Sequence, residues 1–270
     1  MNKKVGFIGC GNMAKAMIGG IIKSKLISRN DIIVSTSSQE SLDKARKEFG
    51  IGSSLENKEV ARKSDILILA VKPHLYKGIL REVKEEIHKE TIVVSIGAGI
   101  SLSFLKENLK EGSKFIKTMP NTPASVGEGM SAISPGENLK EEEIRDVVNI
   151  FESFGKVEII DEELMDAFTA IAGSAPAYIF ILIEAMADAG VKEGLARKVA
   201  YKMAAQAVLG SARMVLTSDE HPASLKDKVC SPSGTTIESV ISLEKSGFRA
   251  SIMEAMEVCS EKSKLMGKNS

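Results

Sequence analysis

Tryptophan is absent from the 270 residues, and histidine, cysteine and tyrosine occur three times each. The histidines, His74, His88 and His221, include no pair at the i, i+4 spacing with which one helix face grips a metal. The cysteines, Cys10, Cys230 and Cys259, are odd in number, far apart and without a C-x-x-C pair, which argues against a disulfide framework and a zinc site. No metal is expected, and a reducing, cytoplasmic setting is. An excess of either charge is lacking too, since 36 Lys and Arg face 36 Asp and Glu. No basic field draws nucleic acid, and no asymmetry points to an anionic membrane. Small molecules remain as the expected ligands.

A long uninterrupted hydrophobic run is also missing. Lys3 and Lys4 precede an apolar stretch, but Gly6, Gly9, Gly11, Gly19, Gly20 and the charge of Lys15 break it up, unlike a leader's core. Residues 167–183 carry no charge, yet Gly173, Ser174 and Pro176 interrupt them, and Glu184 and Asp188 follow. That pattern reads as a buried helix rather than a membrane span.

What is present suffices for a full core, with 43% of residues hydrophobic. In the first part, short β-rich runs at 5–8, 32–34, 66–71, 91–96 and 115–119 alternate with helical patterns. A run such as Ile66-Leu-Ile-Leu-Ala-Val71 is what a parallel strand covered on both faces requires. The rhythm is α/β, a Rossmann-like, doubly wound, mostly parallel sheet. Candidate strands at 130–133 and 157–160, around a polar helix over 140–152, extend it. Beyond Asp161 strand signals stop, and helices are expected at 164–190, 195–217, 222–229, 235–246 and 248–265. The expected division is a Rossmann-like domain over 1–160 and an all-helical domain over 161–270. Two of the helices, one with Tyr178-Ile-Phe-Ile-Leu-Ile183 and one with Val199, Met203, Ala204, Ala207 and Val208, need cover on every side. A small helical domain has limited interior, so a second subunit is expected to cover them, with Ala204 on the covered face.

The strand at 5–8 runs into Gly9-Cys-Gly11-Asn-Met-Ala14 and then into a helix. In that setting Gly9 permits a tight turn, Gly11 leaves room for a pyrophosphate, and Ala14 lets helix and strand approach. The helix start, with Asn12 and Met13 in its first turn, offers free N–H groups and a favourable dipole to the anion. Sites for NAD usually end the second strand with an acid, about 20 residues past the loop. Here that end reads Val34-Ser-Thr-Ser-Ser38, so Ser35, Thr36 and Ser37 occupy the position, and Lys44 and Arg46 lie further along a helix. Hydroxyls without a carboxylate tolerate a 2′-phosphate, which favours NADPH and leaves NADH open. Serine and threonine there are equally suited to cap a helix.

Taken in order, Gly6-Phe-Ile-Gly-Cys-Gly-Asn-Met-Ala14, Ala70-Val-Lys-Pro73, Ser95-Ile-Gly-Ala-Gly99, Met119-Pro-Asn-Thr-Pro123, Ala172-Gly-Ser-Ala-Pro-Ala-Tyr178, Glu220-His-Pro222 and Cys230-Ser-Pro-Ser-Gly-Thr-Thr236 span essentially the whole chain. Together they resemble the pyrroline-5-carboxylate reductase family. The resemblance implies NAD(P)H-dependent reduction of the cyclic imine 1-pyrroline-5-carboxylate to L-proline, the last step of proline biosynthesis. It also implies self-association as a dimer or larger ring, with residues 161–270 serving substrate binding and dimerisation. Cofactor contacts are implied at Gly9, Gly11, Asn12, Met13, Ser35, Thr36, Ser37, Asn57, Ala70, Val71, Lys72, Pro73, Ala98 and Asn121.

Each of these segments has a physical reading beside the resemblance. Ala70 and Val71 end a strand at the carboxyl edge of the sheet, where Pro73 stops it. Lys72 reads equally as a solvated lysine. Asn121 lies between two prolines on a stiff loop, suited to a wall against a flat nicotinamide and equally to a plain turn. The segment from Ser231 to Thr236 opens a helix whose N–H groups, with the Gly234 turn, can receive a carboxylate. The resemblance implies substrate contacts at Ser231, Ser233, Gly234, Thr235 and Thr236, with Thr236, the catalytic candidate, near the imine nitrogen. Helix capping is the alternative. His221, before Pro222, reads as a helix-entry hydrogen bonder.

Three positions depart from the family pattern: Ser233, where glycine is common, Ala175, where the motif commonly reads Gly-Ser-Gly-Pro, and Ser239, where alanine or glycine is common. If position 233 needs positive φ, serine strains the loop. A β-hydroxyacid dehydrogenase on the same architecture would need a lysine near the start of the helical domain, and none occurs between Lys156 and Lys192.

Overall fold

The structure, a computed structural model, describes residues 1–268. Its strands are β1 (Val5–Ile8), β2 (Ile32–Ser35), β3 (Gly52–Ser54), β4 (Ile66–Leu69), β5 (Ile92–Ser95), β6 (Lys114–Pro120), β7 (Gly129–Pro135) and β8 (Gly155–Ile159). They form one sheet in the order β3-β2-β1-β4-β5-β6-β7-β8, parallel at every pairing except β6 with β7. The order reverses at β1, which lies between β2 and β4, and ligands of open α/β sheets bind beyond the strand carboxyl ends at such a point.

Every residue of β1, β4 and β5 is buried, because helices cover both faces. Alternation sorts the side chains of β4. Ile66 and Ile68 join one core cluster with Phe7, Met17, Ile18 and Phe151, whereas Leu67 and Leu69 join the other with Tyr76, Leu80 and Leu105. Each fully buried Ile or Leu contributes about 1.5–3 kcal/mol. A charge is enclosed as well. Lys114 of β6 is buried between Glu90 and Glu143, with Glu143 Oε1 at 2.6 Å, and this ties the helix Glu141–Glu152 to the sheet. Burial, the largest single influence, pushes the Glu143 carboxyl up, but the hydrogen bonds from Lys114 and the Lys140 amide, with the charges of both lysines, together outweigh it and hold the group below its ordinary value.

The region between β2 and β4, read from sequence as helical, also contains β3. Its three residues, Gly-Ser-Ser, form a short edge strand with no apolar alternation to announce it. The expected strand at 66–71 ends earlier in the ladder, at Leu69, so that Ala70 and Val71 lie beyond the sheet.

The described residues cluster into two compact units, one comprising Met1–Ser174 with the stretch from Cys259 onward, the other Ala175–Val258. The first reaches Ser174 because the turns after Asp161 pack on the sheet, with Met165 and Phe168 buried beside Ala132. Glu162 Oε1 there accepts from Lys117 Nζ at 2.9 Å and from the Leu102 amide at 2.8 Å. The second unit is helical, with Ala175–Lys192, Arg197–Thr217, Pro222–Val229 and Thr235–Lys245. Its first two helices pack together, and Ala187, Ala200 and Ala204 are buried.

The expected buried helix is not buried within this chain. Glu162–Lys192 is long and apolar enough to cross a membrane by length and composition, and 11% of its most apolar window is buried. Phe180 and Ile181 remain 64% and 66% exposed. Ala204, expected on the face awaiting a partner, is buried, whereas its neighbour Met203 is 56% exposed.

Candidate functional site

β1, β2, β4, β5 and β6 run in the same direction, so the segments that follow them share one edge of the sheet. Gly9 follows β1 at φ +97, and a Cβ there would stand 2.5 Å from the Ala70 carbonyl oxygen. Glycine is therefore required twice, for conformation and for space. Gly11 is different. Its backbone is extended, and an added Cβ would meet nothing within 4 Å. The protein leaves that space open at the start of the helix Asn12–Lys23, which has no side-chain cap and no acid in its first turn. The first-turn N–H groups, at Asn12 and Met13 among others, thus face an opening that fits the pyrophosphate of a dinucleotide.

At the end of β2 no carboxylate is present, and the hydroxyls have distinct fates. Ser35 is fully buried and donates to Asn57 Oδ1 at 2.7 Å, while Asn57 Nδ2 donates to Glu82 at 2.9 Å. Thr36 Oγ1 donates to the Ser38 carbonyl at 2.9 Å, and Ser38 caps the helix Gln39–Phe49. Ser37 is exposed. Lys44 pairs with Glu40 and Arg46 bonds Ser53.

Ala70, Val71, Lys72 and Pro73 leave β4 along the edge, with Lys72 exposed and Pro73 opening a short turn. Ala98 lies beyond β5, between Gly97 and Gly99. Asn121 directly follows β6, and its side chain is buried: Nδ2 donates to the Ala172 carbonyl at 2.9 Å, and Oδ1 accepts from the Met130 amide at 2.8 Å. Ala172 belongs to a π-helical turn, Thr169–Gly173. The structure thus brings Gly9, Gly11, Asn12, Met13, Thr36, Ser37, Asn57, Ala70, Val71, Lys72, Pro73, Ala98 and Asn121 to one edge of the first unit, and turns Ser35, Asn57 and Asn121 into its internal hydrogen bonds.

Sequence reasoning missed Tyr76, and it gave Ser95 as part of the Ser95–Gly99 motif without a role of its own. Tyr76 is fully buried, and its hydroxyl donates to the Leu69 carbonyl at 2.6 Å. Burial pushes this hydroxyl up to about 12, against smaller opposing hydrogen bonds, so it keeps its proton at neutral pH. An apolar position in a helical pattern is all the sequence displays there. A cavity of about 1050 Å³ runs along the helix Asn12–Lys23 and the 122–128 loop, and it meets the edge residues only at Asn12 and Met13.

The substrate candidates lie in the second unit. Gly234 N donates to the Ser231 carbonyl at 3.0 Å, and a Cβ on Gly234 would fall 2.2 Å from Ser231 Oγ. Ser233 has φ +57, so the position needs the left-handed conformation that its departure from glycine makes costly. Gly234 is the N-cap of Thr235–Lys245, and no side chain caps that helix. Thr235 and Thr236 are its first and second residues, so Thr236 is not a cap. Thr236 is half-buried. His221 is a cap, its Nδ1 accepting from the Ala223 amide at 3.1 Å, as its place before Pro222 suggests. Ser239 Oγ donates to the Thr235 carbonyl at 3.0 Å.

A family model described as pyrroline-5-carboxylate reductase dimerisation matches residues 162–266, and one described as NADP oxidoreductase, coenzyme F420-dependent, matches residues 4–99. The chain is 48% identical to the pyrroline-5-carboxylate reductase of Escherichia coli K12, covering 100% of both chains. It is 45% identical to that of Methanosarcina acetivorans, covering 99% of both. The crystal structure of Plasmodium falciparum pyrroline carboxylate reductase with NADP bound is 36% identical, with a TM-score of 0.89 over 98% of each chain. With an oxidoreductase-type sheet domain, a matching helical domain and relatives similar from end to end, this chain belongs to the pyrroline-5-carboxylate reductase family.

Proposed function

We propose that the chain reduces 1-pyrroline-5-carboxylate to L-proline, the last step of proline biosynthesis, with NADPH preferred over NADH. The observation that carries this reading is the 48% identity across the full length, and the glycine turn and the uncapped helix start at Gly234 agree with it. Residues 1–160 hold the dinucleotide. Residues 161–270 bind substrate and self-associate, as a dimer or larger ring, which would cover Phe180, Ile181 and Met203. The protein works in the cytoplasm, without a membrane or nucleic acid partner.

In this reading Gly9, Gly11, Asn12 and Met13 cradle the pyrophosphate. Thr36 and Ser37 leave room for a 2′-phosphate. Ala70, Val71, Lys72, Pro73, Ala98 and Asn121 shape the remaining surface for the cofactor, with Ser35 and Asn57 bracing it. When bound, the dihydronicotinamide supplies a hydride to the carbon of the C=N bond. The chain contributes orientation. The N–H groups of Thr235 and Thr236 hold the substrate carboxylate, with Gly234 shaping the turn through its bond to the Ser231 carbonyl and with Ser231, Ser233 and Thr235 helping. The Thr236 hydroxyl holds the imine nitrogen, which takes its proton from water. No strong general acid is needed, because such an imine protonates readily.

The test is direct: incubate the protein with NADPH and pyrroline-5-carboxylate and follow NADPH absorbance. Substrate-dependent oxidation with proline as product is expected. No turnover with either nicotinamide cofactor would remove the reading.

A further inference from the structure

One buried phenol joins the strand ends at the cofactor edge. Tyr76 opens the helix Tyr76–Val83, directly after the turn that Pro73 begins. Its hydroxyl donates to the carbonyl of Leu69, the last residue of β4. Ser95, the last residue of β5, donates to that hydroxyl from Oγ at 3.2 Å and accepts from the Gly97 amide at 3.3 Å. The Ile96 amide points to the same Leu69 carbonyl at 3.5 Å. The ring also sets the backbone shape, since a Cβ on Gly97 would come within 2.8 Å of two ring carbons. Leu69, Ser95 and Gly97 are thereby held by one side chain, and they lead directly into residues 70–73 and 96–99.

Packing alone does not call for a tyrosine here. The other buried members of this core cluster are apolar, and a phenylalanine would fill the same space. A buried hydroxyl is costly unless its hydrogen bonds are met. This one is met at the carboxyl edge of the sheet, by groups that precede the two loops. Its proton stays in place at neutral pH, so the bond to the Leu69 carbonyl is kept there.

We propose that Tyr76 is a positioning residue for the cofactor, its hydroxyl locking the ends of β4 and β5 so that residues 70–73 and 96–99 meet NADPH in a fixed geometry. This rests on the reading that this edge takes the nucleotide. Tyr76→Phe keeps the ring and removes the lock. Calorimetry on the full chain should show the Kd for NADPH raised roughly threefold to tenfold, the effect of one lost hydrogen bond. KM for NADPH should rise with it, by more than kcat falls. In the cofactor-free protein the Ile96 and Gly97 amides should exchange faster. Ser95→Ala, a smaller change, should weaken NADPH in the same direction. The double variant should be no weaker than the worse single one, because both side chains serve one network. An unchanged Kd in Tyr76→Phe and in Ser95→Ala, with only a lowered melting temperature, overturns the positioning role. Failure of the unaltered protein to bind NADPH at all overturns instead the parent reading of the edge.

Discussion

The Asn121 side chain donates to the carbonyl of Ala172, 2.9 Å away and 51 residues later in the chain. With the Met130 amide bonded to its other end, this one side chain fastens the end of β6, the start of β7 and a π-helical turn together. Such turns recur at functional sites, where an unusual backbone must be held by its surroundings.

Asn121→Ala should therefore cost stability before it costs anything else. It leaves the Ala172 carbonyl and the Met130 amide without their partner, a loss of about 2–3 kcal/mol for two bonds. A thermal or urea melt measures it. If the variant melts like the original and loses only NADPH affinity, Asn121 is a cofactor wall and not a latch.

Cofactor choice follows from the missing acid at the end of β2. The kcat/KM for NADPH should exceed that for NADH, and Ser37→Asp should narrow or reverse the ratio by at least about fivefold, through repulsion of the 2′-phosphate. Ser37 is the suitable position because it is exposed, whereas Ser35 is buried on Asn57. Preference for NADH in the unaltered protein would sink this prediction.

Self-association should depend on the apolar surface that the second unit does not cover. Met203→Glu places a charge on a residue 56% exposed in the single chain and should lower the mass seen by light scattering at micromolar concentration. Ala204→Glu is not the equivalent test, because Ala204 is buried in its own chain and the change would disturb the fold itself. A monomeric mass for the unaltered protein would contradict the expectation outright.

Ser233→Gly should stabilise the protein by about 0.5–1 kcal/mol. Serine at φ +57 carries a cost of roughly 1–2 kcal/mol that glycine does not, offset in part by the greater freedom of glycine in the unfolded chain. A higher melting temperature is the expected result. A lower one would mean that the Ser233 side chain holds the turn by more than the strain it brings.

The features legible in the sequence are those whose cause is local. Gly9 announces its turn because conformation and crowding both act within the strand–turn–helix unit, and residues 66–69 announce β4 because both of its faces are covered. Ser233 could be flagged from sequence for the same reason. The illegible features depend on partners far along the chain. Asn121 reads as a loop residue until Ala172 is beside it, and Tyr76 reads as one more apolar helix position until Leu69 and Ser95 converge on its hydroxyl. β3 was missed because three polar residues at a sheet edge carry no periodic signal. The need for cover on the 175–192 helix was legible, because it is apolar on every side and the helical domain is small, and Phe180 and Ile181 are indeed left exposed by their own chain.

The sharpest test of the substrate loop is Thr236→Ala, and the structure narrows what it can mean. From sequence the segment had two readings, a carboxylate receptor or a plain helix cap, and a cap predicts a stability loss of about 1 kcal/mol on truncation. Gly234 occupies the cap position and Thr236 is the second helical residue, so its hydroxyl caps nothing. Alanine is also the better helix former at that place. The melting temperature should thus stay level or rise slightly. If the hydroxyl holds the protonated imine nitrogen while the hydride arrives, the variant should lose about 1–3 kcal/mol of transition-state stabilisation, roughly tenfold to over a hundredfold in kcat/KM for the imine. NADPH affinity, measured separately by calorimetry, should not move. The three measurements pull apart every alternative: a lower melting temperature would restore a structural role, weaker NADPH binding would tie the residue to the cofactor, and an unchanged kcat/KM would take Thr236 out of the site.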